Sequence, residues 1–126
     1  YNVTTDLINS GTEFNYIFAN NDMMAQGCYN ALKDAGKENI PIVSTGGSPD
    51  GFKMLQDGIE AANMTAPVSI QGVKTFMNLY NKVALGEDPA EKFTALPVIP
   101  VSADDTSSYI AWDDYAAAYK YLGENK

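Results

Sequence analysis

The sequence predicts an open, mostly parallel α/β sheet with helices on both faces. Three observations predict it. Short apolar runs, Tyr16-Ile17-Phe18-Ala19 and Ile40-Pro41-Ile42-Val43-Ser44, have the length and composition of buried strands. The stretches around them place apolar residues three and four apart, the period of an amphipathic helix. Helix and strand alternate from Tyr1 to Gly86, and that alternation closes into a parallel sheet with crossover helices.

Each element has its own local reason. Val3, Leu7 and Ile8 mark the end of an amphipathic helix, stopped by Gly11. The first strand follows and runs into Asn20-Asn21-Asp22, where Asp22 reads as the N-cap of the next helix. That helix sets Met24, Gly27, Cys28, Ala31, Leu32 and Ala35 on one face, and Gly36 closes it. After the second strand, Thr45-Gly46-Gly47 reads as a flexible turn. Ser48 then Pro49 is an N-cap followed by a proline at the first helical position. Phe52, Leu55 and Ile59 form the apolar stripe of a short helix, and Ala61 to Thr65 a third strand. A long helix from Val68 to Leu85 turns Ile70, Val73, Met77, Tyr80 and Ala84 to the core, and Gly86 ends it. Phe93 to Val101 carries Pro97 and Pro100, which restrict it to a sheet edge or a crossing segment. Asp104 to Ser108 is a polar loop. Trp112, Tyr115, Tyr119 and Leu122 then fall at helical spacing, the pattern of a core-facing stripe, with a sugar-stacking surface as the alternative.

Composition removes several functions. The chain has 126 residues, enough for one compact core. Eight Lys and Arg against sixteen Asp and Glu leave a net charge of −8, so no nucleic-acid partner is expected. No apolar run is long enough to span a bilayer, and no membrane insertion is expected. The chain has no His and one Cys, Cys28. Cys28 sits on an apolar helix face, where a cysteine usually serves as a small hydrophobe. Sequence motifs for a nucleophile elbow, a phosphate loop or a zinc hydrolase are absent. Asp104-Asp105 and Asp113-Asp114 are adjacent pairs, which do not face each other on a helix and lack calcium-loop spacing. Neither an enzyme activity nor a cofactor is expected.

In open parallel sheets, ligands bind beyond the carboxyl ends of the strands. That rule selects Asn20-Asn21-Asp22, Thr45-Gly46-Gly47 and Thr65-Ala66-Pro67. For Asn21 the residues leave two readings open, helix capping and ligand contact. An Asn amide offers both a donor and an acceptor to a hydroxyl-rich ligand.

The run Ile17-Phe18-Ala19-Asn20-Asn21-Asp22-Met23-Met24-Ala25-Gln26-Gly27 resembles a stretch of the periplasmic sugar-binding proteins of the ribose/galactose type. Ala31 to Gly36, Ile42-Val43-Ser44, Ser48-Pro49-Asp50-Gly51, Asp57 to Ala62, Gly72 and Leu85-Gly86 continue the likeness in register, from about Asp6 to Pro100. The resemblance implies a Rossmann-like lobe of a type I periplasmic binding protein. It implies that residues 1–126 are most of a C-terminal lobe, whose first strand and helix, and whose partner lobe, lie upstream of Tyr1. It further implies a sugar or sugar-like ligand, ABC permease subunits as partners, and a periplasmic or extracytoplasmic location. The effector domain of a related transcriptional repressor is the alternative, and a small flavodoxin-like enzyme or phosphoacceptor a more distant one. Asn21 matches the family's ligand-binding asparagine, and Asp22 its helix-start aspartate, with a structural role. The family's sugar-gripping aspartate falls at Gly46 and its glutamine at Ala66, so two polar contacts of the ribose type are missing. Asn21, Thr45, Gly46 and Ala66 are the expected ligand-binding set. Gly46 and Gly47 are expected to leave space and free backbone N–H groups, suited to a bulkier or acidic ligand.

Overall fold

A computed structural model describes residues 1–66, 68–89, 91–93, 95–96 and 98–124. Pro67, expected on the ligand rim, and Pro97, expected with Pro100 to restrict its segment to a sheet edge or crossing, lie outside the described residues. The elements run α1 (Asn2–Asn9), β1 (Ile17–Ala19), α2 (Asp22–Asp34), β2 (Ile42–Gly46), α3 (Pro49–Gln56), β3 (Glu60–Thr65), α4 (Val68–Tyr80), β4 (Ile99–Ser102) and α5 (Tyr115–Glu124). The four strands form one sheet in the order β1-β2-β3-β4. β1, β2 and β3 are parallel, and β4 joins β3 antiparallel. Pro100 therefore sits on the edge strand, the place in a sheet where a missing N–H is tolerated.

Three helices end alike. Gly11 N–H bonds Ile8 O and Thr12 N–H bonds Leu7 O; Gly36 and Lys37 do the same for Lys33 and Leu32, as do Gly58 and Ile59 for Leu55 and Met54. Each is a Schellman end whose glycine takes a positive φ, between 66° and 72°. α3 begins as expected, with Ser48 Oγ accepting from Gly51 N–H at 3.0 Å and Pro49 in the first turn. The expected long helix is α4 followed by a π-helical turn, Asn81–Leu85.

Register decides what faces what. Ile17 pairs with Ile42 and Ala19 with Ser44, so these side chains share a face, and Phe18 and Val43 point the other way. α2 and α3 cover the first face: Ala19, Ala25, Leu32, Ile42 and Met54 form one buried cluster, flanked by Ile17 and Cys28. On the opposite face Phe18 is 60 % exposed. Leu55, Val101 and Tyr109 make a second cluster, and Ile70, Ile110 and Ala118 a third.

A register shift between Ile42 and Val43 breaks the pairing of β2 with β3. Ile42 pairs with Glu60, yet Val43 pairs with Ala62 and Ser44 with Asn63. Glu60 and Asn63 are three apart and would alternate to opposite faces of a regular strand. The bulge inserts Ala61 and sets both on the buried face, where each is fully buried.

Several expected core positions are solvent-facing. Met24 is exposed at the start of α2, where Ala25 is buried in its place. On α4 only Ile70 is buried; Met77 and Tyr80 are half-exposed. The aromatic stripe is not core: Tyr115 and Tyr119 are exposed, Trp112 precedes α5, and Ala118 is the buried residue of that helix. Aromatic spacing alone misled there, because the small Ala118 face lets α5 approach α4 closely.

Leu55 has 1 % exposure and touches the second cluster from α3. Replacing it with Ala is expected to cost about 2–5 kcal/mol by methylene loss and cavity formation. Urea unfolding followed by circular dichroism checks this.

Candidate functional site

The carboxyl ends of β1, β2 and β3 meet around one buried side chain, Asp22. The expected N-cap of α2 is corrected by one residue. Asn21 is the cap: its Oδ1 accepts from Met24 N–H at 2.8 Å. Asp22 instead turns inward and is 4 % exposed. Its Oδ2 accepts from Gly47 N–H at 3.1 Å, Ser48 N–H at 2.8 Å and Ser48 Oγ at 2.5 Å. Its Oδ1 accepts from Asn63 Nδ2 at 2.7 Å and Ser44 Oγ at 3.2 Å. One carboxylate thus joins the β1–α2 connection, the β2–α3 connection, β2 and β3.

A second carboxylate completes the cluster. Glu60 Oε1 lies 2.8 Å from Ser44 Oγ, and Glu60 Oε2 lies 3.0 Å from Asn63 Nδ2. Asn63 Nδ2 is also 2.8 Å from Ser44 Oγ. Burial pushes the Asp22 carboxyl up, but the bonds from Ser48, Asn63 and Gly47 outweigh it and hold Asp22 below its ordinary range. For Glu60, burial wins over the bonds from Asn63 and Ser44, and the charge of Asp22 adds to it, so this carboxyl is raised. The phenol of Tyr109 is raised too, by burial and then by the two carboxylates. An Asn amide carries two hydrogens and a hydroxyl one, fewer than the contacts these groups make with the carboxylates and each other.

The glycines of the β2–α3 connection answer to the same carboxylate. A Cβ at Gly46 would overlap the Asp22 carboxylate, and one at Gly51 would lie 2.6 Å from its Cγ. Gly46 belongs to β2 rather than to a flexible turn. It therefore leaves no space toward a ligand, since its bare side faces Asp22. The N–H groups of Gly47 and Ser48 are likewise spent on Asp22, which corrects the expectation of free donors for an acidic ligand.

The expected binding residues sit close together at this edge. Asn21 is half-buried; its Oδ1 is used by the cap, and its Nδ2 makes no hydrogen bond among the described residues. Capping and a free amide thus coexist in one side chain. Thr45 donates its hydroxyl to Met64 O at 2.9 Å. Ala66 is exposed just beyond β3, its N–H bonded to Gly46 O at 2.6 Å. Trp112 stands over Gly47, its N–H bonded to Gly47 O at 2.9 Å.

Sequence reasoning missed Glu60, Asn63 and Tyr109. The available signal was an acid and an amide inside an otherwise apolar strand. The acidic pairs have structural roles: Asp105 Oδ1 accepts from Ser107 N–H at 2.9 Å, and Asp114 Oδ1 from Ala117 N–H at 2.9 Å. A groove of about 700 Å³ lies elsewhere, between the α1–β1 and α2–β2 connections, lined by Ile8, Phe14, Lys37 and Ile40. It opens at the amino ends of β1 and β2, the end that open parallel sheets do not use for ligands.

Glu60→Gln is expected to fold, with its amide donating to Ser44 and its carbonyl accepting from Asn63. A raised folded-state pKa gives stability that is present at low pH and lost as pH rises through it. Thermal melts should therefore show the variant gaining on the parent chain as pH rises from about 4.5 toward neutrality. For Asp22 the sign is opposite: its contribution is present above the ordinary carboxylate range and lost in stronger acid.

No family model matches the chain. The ribose import binding protein of Escherichia coli (strain K12) is 35% identical over 95 residues, covering 73% of this chain and 31% of that protein. The chain thus spans about a third of the length of the curated relatives it matches. A solute-binding protein of an ABC transporter from Bacillus halodurans C-125, solved with bound myo-inositol, superposes with a TM-score of 0.79 at 24% identity. That match covers 90% of this chain and 38% of the other. A solute-binding protein from Agrobacterium vitis with bound D-fucose gives a TM-score of 0.67 at 26% identity, covering 85% and 37%. By sequence and by fold, the chain is a part-length relative of the periplasmic sugar-binding proteins of ABC transporters and has their type I binding-protein fold.

Proposed function

We propose that the chain is most of the C-terminal lobe of a two-lobed receptor that binds a neutral sugar or sugar-like polyol and delivers it to an ABC permease outside the cytoplasm. The observation that carries this reading is Asn21. By the resemblance of the run from Ile17 to Gly27 it matches the family's ligand-binding asparagine, and it stands at a strand end with Oδ1 held by the helix cap and Nδ2 without a hydrogen bond among the described residues. Holding one end of the amide fixes the other, so the donor is oriented before a ligand arrives.

The rest of the rim supports a neutral ligand. The loop N–H groups that would attract an anion are occupied by Asp22, and the buried acids Asp22 and Glu60 lie behind it. Gly46 and Ala66 bring no carboxylate or amide to the cleft, so ribose-type gripping from those positions is absent. Thr45 and Ala66 line the rim, with the Thr45 hydroxyl able to accept while it donates to Met64 O. A ligand bridging both lobes would favour their closed arrangement, the hinge mechanism of such receptors. The transport relatives favour the receptor over the repressor effector domain, which draws no support from them. No helix among the described residues is long and apolar enough to cross a membrane.

Calorimetric titration of the intact protein with neutral pentoses, hexoses and cyclitols tests the reading. Saturable binding of at least one is expected; heat-free titration across the whole panel overturns it. Asn21→Ser then separates the two jobs of Asn21. Serine keeps a capping oxygen but removes the amide, so the melting temperature should hold while affinity falls about tenfold, the value of roughly 1.4 kcal/mol for a buried hydrogen bond. Unchanged affinity would remove Asn21 from the site.

A further inference from the structure

We propose that Glu60 is a proton-operated switch of strand register: protonated, it lies buried and holds the bulge of β3; ionised, it turns to the open face of the sheet and β3 pairs regularly with β2. Two observations meet at this residue, its place at a register shift and the shortage of hydrogens around it. Glu60 is the first residue of β3 and pairs with Ile42, while the next pair in the ladder is Val43 with Ala62. Ala61 is thereby left over and exposed. A regular strand through the same residues would alternate cleanly. It would keep Ile59 and Asn63 inward, bring the small Ala61 inward opposite Ile42, and turn Glu60 outward with Ala62. That outer face is open to solvent: Phe18 is 60 % exposed and Met64 38 %. Ile59 already packs against the first buried cluster, so the two registers differ at Glu60 and Ala61. The sequence fits both arrangements, and the charge on one carboxyl decides between them.

In the bulged register Glu60 is fully buried beside a second acid. Five contacts of 2.7 to 3.2 Å join Asp22, Ser44, Glu60 and Asn63. Asn63 Nδ2 brings two hydrogens to them and Ser44 Oγ one. Asn63 Oδ1, also buried, has no donor among the described residues. A proton is what the cluster lacks. Glu60 is the acid placed to hold it, because Asp22 has the N–H groups of Gly47 and Ser48 besides. The groups around Glu60 offer its charge no relief. Asp22, at the start of α2, has the same sign, and Tyr109, from the segment after β4, is a phenol. Strands β2 and β4 carry no ionisable side chain. On α3, Lys53 is spent on Asp57 in an exposed pair at 2.7 Å. Burial raises the Glu60 carboxyl, the bonds from Asn63 and Ser44 lower it less, and the charge of Asp22 raises it further.

As pH rises, the O–H bond of the Glu60 carboxyl breaks and its proton passes to water. A raised folded-state pKa makes the buried arrangement favourable below that value, and the advantage is lost above it. The ionised carboxylate then stands beside Asp22 with no hydrogen to spare, whereas the open face of the sheet offers it water. Ala61 takes its place opposite Ile42, and the bulge disappears. Asn63 and Ser44 are left to Asp22 alone, so the carboxylate that joins the three strand ends has sole use of those donors. The switch needs only β2, β3 and Asp22 and is independent of the sugar-binding reading.

The test uses the intact protein and its Glu60→Gln variant, isotope-labelled for NMR. Carbon-13 shifts of the side-chain carboxyl follow the proton, and Glu60 is expected to titrate once, above about pH 4.5 and below about pH 8. Through that titration the cross-strand contact of Ile42, read as a backbone nuclear Overhauser effect, is expected to pass from residue 60 to Ala61 and to return on acidification. In Glu60→Gln it should stay with residue 60 at every pH, because the amide keeps the shape without the charge. A contact that stays with residue 60 on both sides of the titration overturns the switch. So does a Glu60 that titrates at or below the ordinary glutamate value, or one still protonated at about pH 8. A Glu60→Gln variant that changes register with pH overturns it as well. Should that variant fail to fold, the contact of Ile42 in the parent protein decides by the same criterion. No sugar enters these measurements, so their failure leaves the sugar-binding reading standing.

Discussion

The architecture at the carboxyl ends of β1, β2 and β3 depends on one buried charge. A carboxylate removed from water needs hydrogen-bond donors on both oxygens, and the cost of leaving them unmet is several kcal/mol. Asp22 gets its donors from Ser44, Gly47 and Ser48 of β2 and the connection after it, and from Asn63 of β3, all more than twenty residues away in the chain. Meeting that need fixes the relative position of three strand ends. It also explains the sequence between β2 and α3. Gly46 and Gly51 lack side chains because Asp22 fills the volume a Cβ would take, and Ser48 serves twice, donating to Asp22 and accepting from Gly51 N–H.

The second buried acid follows from the first. Ser44 and Asn63 face Asp22, and each has bonding capacity left over. Glu60 uses it, carried onto the same face by the bulge in β3. Burial raises the Glu60 carboxyl and the charge of Asp22 adds to it, whereas at Asp22 burial is outweighed by the bonds from Ser48, Asn63 and Gly47, so that carboxyl is lowered. Asp22 is thus the carboxylate that the donors of the cluster surround.

Much of this fold was legible from local rules. The Ser48-Pro49 start of α3, the glycine ends of three helices and the edge position of Pro100 each follow from the backbone chemistry of a few adjacent residues. Asn21 was legible as a residue of the strand-end loop, and of its two readings the cap is the one seen, with Oδ1 accepting from Met24 N–H. The rest depended on contacts distant in sequence. Asp22 looks like any helix-start aspartate until the β2–α3 connection is laid over it. Glu60 and Asn63 become partners only through a bulge, which periodicity cannot foresee. The aromatic spacing of Trp112, Tyr115 and Tyr119 pointed to core because spacing carries no information on what a helix has to pack against.

The direction of β4 accounts for the placement of Trp112. Ile99 pairs with Thr65 at the ligand end of β3, and Ser102 with Ala62 nearer the other end, so the antiparallel strand carries the chain away from the site. The segment that follows must return. It does so along α3, where Val101 and Tyr109 close over Leu55, and the burial of that cluster is what fixes its path. By the time the chain reaches Trp112 it is again beside Gly47, and α5 then leaves to pack Ala118 near Ile70. A parallel fourth strand would have ended at the ligand edge with no such return. The antiparallel strand thus gives the sheet an edge for Pro100 and a return path, fixed by the second hydrophobic cluster, that sets Trp112 beside the β2–α3 connection.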